Sequence, residues 1–130
     1  MEVYSSHILK IDYNPQKQLL TIKRYDLKNN EEYKESVLLI AGKIERYKPK
    51  KILVDLKDFS FPIHPEIQNW STEIFTKLAI KIGVEKTAYL MTEDFATRIA
   101  LENMIEEAKK SGVNILYTTS KEEAQKWLDI

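Results

Sequence analysis

The chain contains no cysteine. That single absence removes a disulfide framework, a thiol nucleophile and a thiolate metal site together. Disulfides mark oxidising compartments, so the lack of them favours the cytoplasm. Glycine is nearly as scarce, with only Gly42, Gly83 and Gly112. Phosphate cradles need glycine where backbone must approach the ligand closely. Hydrophobic periodicity places Gly42 inside a helix and the other two just past helix ends, so neither a Walker nor a dinucleotide fingerprint exists and no cofactor is expected. The two histidines, His7 and His64, stand far apart in the chain and make a poor metal site. An excess of one charge is also missing. Twenty Lys plus Arg balance twenty Asp plus Glu, whereas nucleic-acid binding leans on basic surplus. No apolar run approaches the roughly 20 residues of a membrane span. The opening MEVYSSHILKIDY has neither a basic n-region nor an apolar h-region. The expectation is a cytoplasmic domain with neither nucleic acid nor membrane as partner.

What is present suits one ordinary globular domain over residues 1–130. Hydrophobic residues make up 43% and charged residues 31% of the 130 positions, and a chain of this length buries roughly two-thirds of its unfolded surface. His7–Tyr13 alternates, with Leu9, Ile11 and Tyr13 on one face, which predicts a half-buried strand. Asn14-Pro15-Gln16-Lys17 reads as a turn into a second strand, Gln18–Tyr25, with Leu20 and Ile22 on its apolar face. Asn29 suits the cap of a first helix whose stripe is Val37, Ile40, Ala41 and Ile44, and Pro49 ends it. Lys51–Leu56 is a short apolar run of the kind that fills a central strand. His64-Pro65 opens a second helix, because proline fits the first helical position, and Gly83 stops it. Thr87–Met91 is a fourth strand. Thr92 is expected to cap a third helix running to Lys109-Lys110. Val113–Tyr117 is a fifth strand, and Ser120-Lys121-Glu122-Glu123 is a capping box for a last helix. The predicted fold is α/β: a mostly parallel five-stranded sheet opened by an antiparallel hairpin, four helices, in the order β-β-α-β-α-β-α-β-α. Acids open the first helix and the bases Lys43, Arg46 and Lys48 close it, as the helix dipole prefers.

Ligands of open α/β sheets collect at the carboxyl ends of the strands. Three segments converge on that edge: Lys57–His64, Thr92–Asp94 and Thr118–Ser120. They supply the candidate ligand- or partner-binding residues Asp58, Ser60, His64, Glu66, Thr92, Glu93 and Thr119, with Trp70 on the adjoining helix. His64 near Asp58 and Ser60 suggests a catalytic trio, but nothing resembles a nucleophile elbow, and a helix-capping histidine is the simpler assignment. Asp55, in an apolar strand, is expected to satisfy backbone donors at the strand end. Glu93 and Asp94 read as first-turn acids. The second helix carries apolar residues over a wide arc, including Trp70, Ile74, Phe75, Leu78, Ile80 and Ile82. Core accounts for most of them; the surplus predicts a greasy pocket or a protein partner, with a homodimer the simplest form.

The element order, centred on Ile52-Leu53-Val54-Asp55-Leu56-Lys57-Asp58-Phe59-Ser60-Phe61 and closed by Glu123-Ala124-Gln125-Lys126-Trp127-Leu128, resembles the STAS domain of bacterial anti-sigma-factor antagonists and SpoIIAA-like proteins. The resemblance implies a non-catalytic regulatory or protein-interaction domain of bacterial type. In that family a serine at the start of the helix after the central strand accepts phosphate from a partner kinase. The matching positions here read Ile63-His64-Pro65-Glu66 and offer no hydroxyl, so partner binding is not expected to be gated by phosphate there. The alternative expectation is a small-molecule binding protein that takes an apolar or anionic ligand at the strand ends.

Overall fold

A computed structural model describes all residues, 1–130. Six strands form one sheet: β1 (Glu2–Ser5), β2 (Leu9–Asn14), β3 (Leu19–Arg24), β4 (Lys51–Asp55), β5 (Lys86–Leu90) and β6 (Ile115–Thr118). Four helices accompany them: α1 (Asn30–Tyr47), α2 (Pro65–Ile82), α3 (Phe95–Lys109) and α4 (Lys121–Leu128). The strands lie side by side in chain order, β1 to β6. The β1–β2 and β2–β3 pairs are antiparallel and the other three are parallel. The expected α/β class, the antiparallel opening hairpin β2–β3 and the interior position of Lys51–Asp55 all hold.

The sixth strand corrects the expected five. β1 is only four residues long, pairs on one side, and carries an irregularity between Glu2 and Tyr4. So short and bulged an edge shows no clean period-two signal. His7, expected on a strand, instead lies in the turn between β1 and β2, where its imidazole is 3.5 Å from Glu32. The Glu32 carboxyl is held below its usual range, chiefly by the Lys28 backbone N–H and then by His7.

The helices follow from their caps. The Asn29 side chain accepts the Glu32 N–H at 2.9 Å, and the Ser120 hydroxyl accepts that of Glu123 at 3.1 Å. Thr92 does not cap α3. That role belongs to Asp94, whose carboxylate accepts the Thr97 N–H, while buried Thr92 takes the N–H of Asp94 on its hydroxyl. Gly83 closes α2 at φ 81°, a left-handed conformation that costs glycine nothing.

Helices α1, α2 and α3 cover one face of the sheet. Beneath them runs a cross-strand row, Ile11, Ile22, Val54, Tyr89 and Tyr117, within the larger hydrophobic core. The other face is covered at its β5–β6 end by α4, which packs Ala124 and Leu128 on Leu53, Ala88 and Leu90. Burial of a leucine such as Leu128 contributes about 2 kcal/mol. The wide apolar arc of α2 has a structural reason: this helix lies between α1 and α3 and must be apolar on both flanks as well as beneath. Ile80 is the member of that arc left well exposed.

Candidate functional site

The three strand-end segments do meet, but they bind one another. The Lys57 ammonium donates to the Thr119 carbonyl at 2.6 Å. The Phe61 N–H donates to the Thr97 hydroxyl at 3.1 Å, and the Ser60 N–H to Asp26 at 2.6 Å. Asp94 is held below the usual carboxylate range by the Thr97 hydroxyl first, then the Thr97 N–H, with the Ser60 hydroxyl also beside it. Asp58 pairs with Lys23 at 3.2 Å, and that hydrogen bond raises the Lys23 ammonium. Asp55 accepts the Lys57 N–H at 3.0 Å, its expected role. His64 is the N-cap of α2: its Nδ1 accepts the Glu66 N–H at 3.2 Å, and Glu66 stands exposed in the first turn. Glu93 and Thr119 are exposed, whereas Trp70 packs against the main core. No side-chain bond joins His64 to Asp58 or Ser60. No group of three His, Asp or Glu residues is placed to hold a metal ion.

The cavity lies elsewhere, between the sheet and helices α2 and α3. It has a volume of about 100 Å³, and sixteen of its twenty lining residues are hydrophobic. Ile52, Val54 and Tyr89 supply the floor; Phe75 and Ala79 of α2 form the roof; Met104 and Ile105 of α3 form a wall. Thr72 and Thr76 line both this cavity and a polar groove running over the outside of α2 and α3. They therefore mark its mouth. An apolar cavity of about 150 Å³ is known to stay dry and to accept benzene, so the space here suits a ring or a short branched chain.

One charged residue reaches this interior. Arg24 ends β3 and shares the face of Leu20 and Ile22, since side chains alternate along a strand. It is 6% exposed and lines the cavity. Its guanidinium stacks against the rings of Tyr33 and Phe59, each 4.9 Å away, and donates one hydrogen bond, to the Ser36 hydroxyl at 2.6 Å. That hydroxyl passes its own proton to the Tyr33 carbonyl at 2.7 Å. No carboxylate lies within 4.0 Å of Arg24, and none lines the cavity. Close by, Tyr89 is half-buried and lines the cavity. That burial pushes its hydroxyl up to about 12, against the opposing pull of the Arg24 charge. The Tyr33 hydroxyl approaches Ser71 at 3.4 Å.

Arg24 is absent from the residues expected from sequence, although the signal was there: period-two alternation from Leu20 through Ile22 puts Arg24 on the buried face. The cavity had no such signal, because its walls come from seven separate elements that only the packing brings together. No known protein-family model matches the chain, and no curated protein matches it.

Proposed function

We propose that this chain is a non-catalytic binding domain whose ligand is a small apolar molecule held in the cavity beneath α2. The observation that carries this reading is the cavity itself: an apolar chamber inside the main core, reached past two threonines on a helix that rests on its neighbours. Native interiors are close-packed, with few voids larger than a water molecule. A void of this size forfeits dispersion contacts along its whole lining, which is tolerable in a protein that regains them from a ligand. We place the ligand here and not at the strand ends because Lys57 and Ser60 there are engaged by protein partners.

The test is a titration of the wild-type chain with toluene, followed by methyl NMR. Signals of Ile52, Ile105 and Ile115 should shift and saturate, while those of Leu128, in the separate cluster on the opposite face of the sheet, stay in place. Ala79→Leu, which puts three carbons into the roof, should abolish the shifts. Unmoved methyl signals in the wild-type chain would refute the reading.

A second reading is the STAS-like interaction role. Phe95 and Ile99, 74% and 41% exposed at successive turns of α3, favour it, as they form an apolar pair beside the strand-end edge. On this reading the chain dimerises. Light scattering at micromolar concentration should then give two chain masses for the wild type and one for the double variant Phe95→Ser, Ile99→Ser.

A further inference from the structure

Resting on the cavity reading, we infer that the ligand is a monoanion, a small aromatic or branched aliphatic carboxylate, whose head group is received by Arg24 in the cavity wall.

A guanidinium presents five N–H donors and keeps its charge at all ordinary pH. Here one N–H reaches a protein acceptor, and that acceptor is a neutral hydroxyl. Buried charges are otherwise paired or hydrogen-bonded, because an isolated ion in an apolar setting is costly. The two flanking rings offset part of this cost through cation–π attraction, but they bring no negative charge. Nor does any other element facing the cavity. The titratable groups there besides Arg24 are the phenols of Tyr33 and Tyr89, and the remaining polar lining is threonine. A cation thus stands nine-tenths buried in the wall of an otherwise apolar chamber, with donors that are open and not sealed in the core.

The geometry narrows the partner. The rings of Tyr33 and Phe59 each lie 4.9 Å from the guanidinium carbon, and the group's N–H donors lie in its plane, along the edge where a planar carboxylate bonds in bidentate fashion. One cation balances one negative charge. A phosphate monoester, at about −1.5 to −2 near neutral pH, would carry uncompensated charge into the chamber. The Tyr89 hydroxyl makes no hydrogen bond to the protein, stays protonated well beyond neutral pH, and can donate to the same head group. The whole cavity, about 100 Å³, fits a small acid built on a phenyl ring or a chain of a few carbons and excludes a long acyl chain.

The experiment is calorimetric titration with ligands that share a phenyl ring and differ in head group: benzoate, benzamide, benzylamine and phenyl phosphate, with toluene reporting on the cavity alone. Benzoate should bind at least tenfold more tightly than benzamide, and benzylamine and phenyl phosphate more weakly than either. Arg24→Met should erase the preference for benzoate over benzamide, and Arg24→Lys should restore part of it. Circular dichroism checks that each variant is folded, and the lysine variant serves if the methionine variant is not. Toluene binding without a preference for benzoate would overturn this inference and leave the cavity reading standing. A preference for phenyl phosphate would overturn the monoanion assignment. Failure of toluene and of all four head groups would overturn both readings.

Discussion

Arg24 sets two predictions at the scale of single residues. A cation without a counter-charge makes the empty protein less stable than an apolar side chain of similar length would, since buried charges replaced by well-packed hydrophobes are neutral or stabilising. Arg24→Met should therefore raise the ligand-free unfolding free energy by about 1 kcal/mol while removing carboxylate preference, a trade between stability and binding. Urea denaturation of the two chains measures it; a large loss of stability would mean the guanidinium is a structural strut. Tyr89 gives the second prediction. Its folded-state pKa of about 12 lies above the ordinary tyrosine value of 10. Below pH 10 both folded and unfolded chains keep the proton and the full stability is present. As pH rises from 10 toward 12 the unfolded chain releases its proton and the folded chain does not, so stability falls, by on the order of 2–3 kcal/mol in all. Tyr89→Phe should flatten that part of the alkaline profile, as followed by denaturation at a series of pH values. Both residues illustrate why a site hides in a sequence. Arg24 looks like any strand-terminal arginine until the face of the strand is followed one step further, and Tyr89 lies in a strand that reads simply as core.

Among the elements, legibility tracks local chemistry. Helix α2 begins and ends where His64-Pro65 and Gly83 place it, because a cap, a proline and a glycine each act within a few residues. The Asn29 and Ser120 caps are legible for the same reason. Replacing Asn29 by alanine leaves the Glu32 N–H without its acceptor and should cost about 1 kcal/mol, measured by urea titration with the far-ultraviolet helix signal. The failures are equally local. Thr92 and Asp94 both suit a cap two residues apart, and the choice falls to Asp94 because Thr92 is the last buried residue after β5, its hydroxyl turned to the Asp94 N–H. β1 fails because four residues with an interrupted register leave too few alternations to count. The strand-end segments converge as fold logic requires, yet whether they leave a gap depends on contacts such as Lys57 to Thr119, 62 residues apart in sequence, which periodicity cannot foresee.

For the whole molecule, the cavity and the position of α2 belong together. The helix is supported by α1 and α3 at its sides while a void remains below it. Filling the void should stabilise the chain: Ala79→Leu is expected to raise unfolding free energy by about 1 kcal/mol, as cavity-filling substitutions commonly do, and to abolish ligand uptake in the same protein. Thermal and urea unfolding give the first quantity and the toluene titration the second. Packing strain instead of stabilisation would show that the space is already occupied by side-chain motion. The strand order has a different consequence. Each strand is bonded only to its neighbours in the chain, so the sheet is assembled and dismantled like a zip. Opening at one end unpairs nothing further in, and no pairing within the sheet spans more than one intervening helix. The N-terminal end, where β1 hangs on β2 alone, is the free end of that zip. At the other end α4 folds back across β5 and β6 and acts as its stop, so amide exchange should run inward from the first strand, and the chain should lose its order from one side first.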